Sequence, residues 1–74
     1  MNDRFLVPKG IVVTRFSNNL GKLLTEEEIV TSKEAIYSLE DVFWQNSHRI
    51  CFKLPEDAYP WTGFTASERE VEIL

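Results

Sequence analysis

The sequence is poor in cysteine, histidine and glycine, with one, one and three of them in 74 residues. The single cysteine, Cys51, cannot form a disulfide within the chain, which excludes the secreted domains that depend on disulfides. One histidine and one cysteine also cannot build a multi-ligand metal site of those residue types, so we expect no metal and no cofactor. The glycines, at positions 10, 21 and 63, stand too far apart for a phosphate-binding loop.

A nucleophile and its base are also hard to assemble from this sequence. In the strand predicted over residues 48–54, His48 and Cys51 point to opposite faces and cannot form a catalytic pair. Cys51 shares its face with Arg49 and Lys53, whose charges would lower the pKa of the thiol. A small packed side chain is nevertheless the more frequent role of an unpaired cysteine. We therefore predict that the protein is not an enzyme.

Long apolar runs are absent from the sequence as well. No stretch of about 18 apolar residues is present to span a bilayer, and the first residues lack the apolar core of a signal peptide. A chain with a single cysteine fits a reducing compartment best. We therefore expect a cytoplasmic protein without a membrane-spanning segment.

What the chain does contain is sufficient for one folded domain. Its hydrophobic fraction of 43% includes five Phe, two Tyr and two Trp, which is too apolar for a disordered acidic chain. Two domains in this length would each fall below about 50 residues, the usual minimum. We predict a single domain over residues 1–74.

The net charge of −4 is unevenly distributed along the chain. Residues 1–24 carry four cations and one acidic residue, whereas residues 25–47 carry six acidic residues and one lysine. An exposed acidic surface attracts basic partners and repels the phosphates of nucleic acid. We therefore expect the partner to be another protein with a basic surface, and nucleic acid is disfavoured.

The first third of the chain has the composition of β-structure. β-Branched and aromatic residues predict strands over residues 4–7 and 11–16. The polar and glycine residues from Ser17 to Gly21 predict a turn, because they tolerate positive φ or bond their own backbone. Residues 22–25 would then return as the second strand of a hairpin.

The second half contains one clear strand, residues 48–54, in which apolar and polar residues alternate. A loop is predicted from residue 56 to about residue 66, after Pro55 ends the strand. Residues 67–74 fit either a short strand in which Val71 and Ile73 point inward or one helical turn that begins with a capping box of Ser67 and Glu70, and their alternation favours the strand.

Between these strands the sequence has a helical pattern. Thr31 and Glu34 have the spacing of a capping box. Residues 26–31 before them fit either a helix, because Thr25 and Glu28 also have that spacing, or a strand, and an extended approach to a helix is favoured. An amphipathic helix is predicted over about residues 32–45, because apolar residues recur there within one arc of the helical wheel. The predicted fold class is α+β, a small antiparallel sheet of about four or five strands with this helix packed on one face. The apolar residues of the helix are Ala35, Ile36, Leu39, Val42 and Phe43.

Two groups of residues are candidates for binding a partner. The predicted helix places a tyrosine and a tryptophan on its polar face beside two acidic residues, a combination typical of protein interfaces. The predicted loop adds three further aromatic residues. For both groups the alternative is structural, with the loop covering the helix face to form a small second core. The candidate partner-binding residues are Tyr37, Glu40, Asp41, Trp44, Tyr59, Trp61 and Phe64.

These features predict a non-enzymatic protein-interaction module, such as a small acidic inhibitor or adaptor that blocks a basic surface of its partner. One alternative is a small nucleic-acid-binding domain with a basic β-surface, on which Phe16 or Phe52 stacks with bases. Another is a structural protein that forms a homodimer or larger oligomer through the edge of residues 11–16 or through the C-terminal strand. The cations of the nucleic-acid alternative are Arg4, Lys9, Arg15, Lys22, Arg49 and Lys53.

Overall fold

β-Strands make up almost all of the regular structure in the computed structural model, which describes residues 3–74. Met1 and Asn2, which begin the segment considered above for a signal peptide, lie outside the described residues. Two short 3₁₀ turns, Leu39–Asp41 and Glu56–Ala58, are the helical elements, and no helix in the described residues is long and apolar enough to cross a membrane. The strands are β1 (Arg4–Val7), β2 (Val12–Asn19), β3 (Lys22–Val30), β4 (Ala35–Ser38), β5 (Val42–Gln45), β6 (Arg49–Lys53), β7 (Gly63–Ser67) and β8 (Glu72–Ile73).

The strands form two antiparallel sheets that share one core. The larger sheet has the order β3-β2-β7-β6-β5, and the smaller has the order β4-β1-β8. Because β2 lies between β3 and β7, the edge of residues 11–16 suggested above for self-association is not free. β8, by contrast, is a border strand of the smaller sheet. The buried apolar residues of the core are Phe5, Val7, Val13, Ile50, Phe52, Phe64, Ala66 and Val71.

Phe52 joins the two sheets at the centre of this core. Its side chain is fully buried, and its ring centre lies 5.8 Å from that of Phe5 in the smaller sheet. The ring centres of Tyr37 and Phe64 lie 5.0 and 5.1 Å from it. Aromatic pairs at these separations stabilise a fold beyond the area that they bury. Four rings therefore hold the sheets together in a chain too short for a thick core.

The predicted hairpin is present as β2 and β3. Its two-residue turn consists of Leu20 and Gly21, with φ angles of 53° and 79°. Two successive positive φ angles match the twist of the flanking strands, which is why this turn type favours hairpins. β3 continues to Val30, so most of residues 26–31, for which both helix and strand were open, is strand.

The predicted helix over residues 32–45 is absent, and the α+β assignment is wrong. This segment forms β4, a 3₁₀ turn and β5, each strand pairing with a neighbour. Ile36, Leu39 and Phe43, which the helical pattern assigned to the core, are 57%, 51% and 49% exposed. The segment is rich in β-branched and aromatic residues, which lose rotamer freedom in a helix and fit a pleated surface. The pairing of β4 and β5 in two sheets therefore outweighs the helical spacing of the apolar residues, which is coincidental.

The predicted loop over residues 56–66 is wrong in its second half. β7 is a central strand there, paired with β2 on one side and β6 on the other, and it buries Phe64 and Ala66. Of the two residues expected to point inward in the tail, Val71 is buried while Ile73 is 40% exposed. The tail strand itself is reduced to the two residues of β8.

Candidate binding groove and outer sheet face

A groove of about 330 Å³ opens between the two sheets. Its deepest residues belong to the core, since Val7, Val13 and Phe64 are at most 5% exposed. An apolar floor with a few polar groups at the rim is the usual form of a site that takes up an apolar group. The rest of the lining comprises the walls Ile29, Ala35, Tyr37, Leu54, Ala58 and Trp61 and the rim residues Arg15, Thr31, Ser32 and Lys33.

Arg15 fixes one side of the rim. Its guanidinium carbon lies 4.1 Å from the centre of the Trp61 ring. The Nε and Nη2 groups of Arg15 donate to Oε1 of Glu27, which lies directly opposite on β3. The stacking contact holds the indole as a wall of the groove. Because the carboxylate of Glu27 offsets the charge of Arg15, this pair adds little net charge to the rim.

Lys33 supplies the uncompensated charge of the rim. Its side chain is exposed, and the ion pair found among residues 3–74 is that of Arg15 with Glu27. The nearby Thr31 hydroxyl is already engaged, since it accepts from the Ile11 N–H at 3.1 Å and donates to the Pro8 carbonyl at 2.7 Å. Thr31 therefore fixes the strand connection instead of capping a helix. The rim as a whole favours an anion beside Lys33.

Tyr37 contributes a neutral phenol to the groove. Its ring packs on Phe52 and lies 5.4 Å, centre to centre, from Phe64. Burial, and secondly the charge of Asp41, raise the pKa of the Tyr37 phenol. The group therefore stays protonated at neutral pH and can donate or accept one hydrogen bond. Tyr37 and Trp44 lie in different sheets and share no face.

The lining of the groove combines apolar walls with a few polar groups. Its lining contains no histidine, cysteine, aspartate or glutamate. Within the part of the chain that the structure describes, no three side chains of these types converge as metal ligands. Apolar walls, one free ammonium group and one neutral phenol suit a ligand that joins an apolar group to a carboxylate.

A second candidate surface lies on the opposite side of the larger sheet, which we call the outer face. Directly paired residues of antiparallel strands point to the same side, so the registers define its rows. The residues that alternate with these rows, such as Val13, Phe64 and Phe52, are buried in the core. The two rows are Glu26, Phe16, Gly63 and Lys53, and Glu28, Thr14, Thr65, Cys51 and Trp44.

The cations of the outer face have specific partners. Nη2 of Arg49 donates to the carbonyl oxygen and to Oγ1 of Thr65, both at 3.0 Å. Nζ of Lys53 lies 5.3 Å from the centre of the Phe43 ring. Cys51 is only 1% exposed, and its burial raises the pKa of the thiol to about 11. The expectation that Arg49 and Lys53 lower this pKa is therefore wrong, because loss of hydration dominates.

The structure separates the seven candidate residues of the sequence. Three of them, Tyr37, Trp61 and Phe64, line the groove. Trp44 lies on the outer face and is 47% exposed. The others belong to neither surface: Glu40 and Asp41 in the first 3₁₀ turn, and Tyr59, which is 87% exposed.

Four residues of these surfaces were not among the seven candidate partner-binding residues, although Arg15 and Phe16 belonged to the nucleic-acid alternative. Arg15 and Lys33 form the rim of the groove, and Phe16 and Phe43 belong to the outer face. Arg15 and Val13 share a face of β2 because they are two residues apart. The sequence does not indicate which face this is, because β2 carries apolar residues on both faces. Of the six cations proposed for a basic β-surface, Arg49 and Lys53 are the two on the outer face.

Comparison of the chain with known protein families, with curated proteins and with solved structures finds no match. The function proposed below therefore depends on the geometry of the two surfaces.

Proposed function

We propose that the protein is a non-enzymatic protein-interaction module that takes one apolar side chain of a partner protein into the groove. A carboxylate of the partner, next to that side chain, binds the ammonium group of Lys33. The observation that supports this most directly is the free charge of Lys33 at the rim of an apolar groove. We place this activity in the cytoplasm, where the single cysteine stays reduced.

The size of the groove limits what it takes up. Its volume of about 330 Å³ lies near the lower end of ligand sites, which range from roughly 300 to 1,000 Å³. This is room for a single leucine or phenylalanine side chain. One buried apolar anchor surrounded by weaker contacts is a common way for a partner to be held.

The charges at the rim determine which anchor fits. A partner carboxylate beside Lys33 gains a charge-assisted hydrogen bond, which is stronger than a neutral one. A basic partner residue would meet Lys33 and the Arg15 guanidinium instead. The basic partner surface expected from the charge distribution stays a prediction, and the acids that would meet it, Glu26 and Glu28, lie on β3 outside the groove.

Short peptides test the proposal. The probe is an acetylated and amidated Phe-Asp dipeptide, and the control ligand is Phe-Asn, which lacks the carboxylate. Binding is followed by Trp61 fluorescence in a Trp44→Phe background, so that Trp61 is the only tryptophan. We expect saturable binding of Phe-Asp and roughly tenfold weaker binding of Phe-Asn.

Two variants assign the binding to the groove. Lys33→Glu should weaken Phe-Asp about tenfold and leave Phe-Asn nearly unchanged, because only the first ligand uses the ammonium group. Lys22→Glu makes the same charge change at the start of β3, outside the groove, and should leave both affinities unchanged. An absence of any saturable signal at millimolar peptide, or equal effects of the two variants, would contradict the proposal.

A further inference from the structure

The outer face carries large apolar side chains along two of its sides, several of them about half exposed. The smaller sheet covers the opposite face, where the core lies. On the outer face Val12 and Val30 are 48% and 62% exposed, and Phe43 and Trp44 near its other border are 49% and 47% exposed. Exposed apolar side chains grouped on one face mark an interaction surface more often than chance.

The charges of the outer face are segregated by strand. Its acids, Glu26 and Glu28, are both on β3, and its cations, Arg49 and Lys53, are both on β6. In the order β3-β2-β7-β6-β5 these strands are three spacings apart, about 14 Å at roughly 4.8 Å each. One side of the face, at β3, is therefore negative and the other side, at β6, is positive, with the uncharged strand β7 between them.

We propose that the outer face is the interface of a symmetric homodimer in which two copies stack face to face. A two-fold axis parallel to the strands, placed between β2 and β7, stacks β3 of one copy on β6 of the other and keeps each position along the strands. The register places Glu26, Phe16, Gly63 and Lys53 in one row. Glu26 of each copy therefore meets Lys53 of the other, and like charges never meet.

Apolar groups lie near the axis. The Phe16 ring of each copy covers Gly63 on the neighbouring strand β7. The Phe16 rings of the two copies therefore flank the axis, and an apolar centre lies between the charged strands. This arrangement resembles that of protein interfaces, in which a core of apolar contacts is surrounded by a charged rim.

A second copy fits this face better than nucleic acid does. The aromatic residues with Arg49 and Lys53 would suit stacked bases, but Glu26 and Glu28 on the same face repel phosphates. A second copy pairs Glu26 with Lys53 twice, once in each direction across the axis, and places no like charges opposite one another. The face spans about 19 Å across five strands and roughly 17 Å along five residues, which is below the size of a standard interface. The dimer should therefore be weak and depend on concentration.

Charge reversal with a double swap tests the dimer. Sedimentation velocity of the wild-type chain across a concentration series should show a shift from monomer to dimer. Lys53→Glu and Glu26→Lys should each weaken association about tenfold, because each puts like charges opposite one another. The double variant should restore association. Lys33→Glu, at the groove on the other side of the sheet, is the control and should dimerise normally.

These outcomes separate this proposal from the groove. Peptide binding that fails while the charge swap restores dimers would overturn only the proposed function. Two results would overturn the dimer. One is a monomer at every concentration. The other is a dimer that neither charge reversal weakens, although both variants keep the wild-type denaturation midpoint. Salt-dependent binding of a single-stranded oligonucleotide that is lost in Lys53→Glu would also overturn the dimer proposal, because the outer face would then be a nucleic-acid-binding surface.

Discussion

The ring of Phe16 occupies the space that a side chain at Gly63 would need. The two residues are directly paired across β2 and β7, and a β-carbon at Gly63 would lie 2.8 Å from Cζ of Phe16. It would also lie 2.5 Å from the carbonyl oxygen of Phe52, on the strand at the other side. Gly63 is therefore required for space and not for an unusual backbone angle. An aromatic ring that covers a glycine on the neighbouring strand also shields its backbone from water.

Gly63→Ala should lower the free energy of unfolding by about 1–3 kcal/mol, the range for overpacked positions. Urea denaturation measures the change. Combining it with Phe16→Ala should not restore stability, because the closest contact of the new methyl group is with a backbone oxygen that cannot turn away. Full recovery in the double variant would mean that the Phe16 ring alone excludes the side chain.

Leu20 lies in a conformation that its side chain disfavours. Its φ of 53° is left-handed, and its side chain is 99% exposed, so no packing contact compensates for the strain. Asparagine tolerates this conformation and precedes glycine in the preferred form of the turn. Leu20→Asn should raise the free energy of unfolding by about 1 kcal/mol, measured by thermal or urea denaturation. Leu23→Asn, within β3, is the control and should give no gain; a gain there equal to that at position 20 would contradict the explanation.

Asp41 links the turn after β4 to the pKa of Tyr37. Its Oδ2 accepts from the Ser38 N–H and from the Ser38 hydroxyl, both at 3.1 Å. Asp41→Ala should cost about 1 kcal/mol of stability through loss of these bonds. It should also lower the pKa of Tyr37, because the carboxylate is the second cause of the elevation, while burial keeps the pKa above 10.0.

A spectrophotometric titration in a Tyr59→Phe background measures the second effect, because Tyr37 is then the only tyrosine. Asp41→Asn should lower the pKa of Tyr37 as Asp41→Ala does, because both remove the charge. Glu40→Gln removes a neighbouring charge that does not act on Tyr37 and should leave the titration unchanged. An equal shift from Glu40→Gln would show a general electrostatic effect.

Features encoded by neighbouring residues were predictable from the sequence. The turn at Leu20 and Gly21 lies in the segment where Asn18, Asn19 and Gly21 predict one, and β6 follows from strict alternation. The helix was wrong because five apolar residues with helical spacing also fit two short strands joined by a turn. Only the pairing partners decide between the two: β4 pairs with the distant strand β1, and β5 pairs with β6, the next strand along the chain.

The groove was not predictable, for the same reason. Its rim brings together Arg15, Lys33 and Trp61, which come from three separate parts of the chain. Nothing local marks the stacking of Arg15 on Trp61, since β2 carries apolar residues on both faces and the register of a strand depends on its neighbours. The aromatic residues were identified as important, but their assignment to one shared face depended on the absent helix.

Cys51 should make stability depend on alkaline pH. Burial raises the pKa of its thiol from 9.0 to about 11 in the folded protein. Between these values the unfolded chain loses the proton and the folded chain keeps it, so the free energy of unfolding falls as pH rises from 9 to 11. Cys51→Ala lacks this titration. Between pH 9 and 11 the free energy of unfolding of wild type should therefore fall relative to that of the variant, as urea denaturation at each pH would show.

Alkylation by iodoacetamide provides a second measurement, because the folded thiol is only 1% exposed and should react far more slowly than the denatured one. Rapid alkylation of the folded protein at neutral pH would show instead that Arg49 and Lys53 hold a thiolate on the outer face.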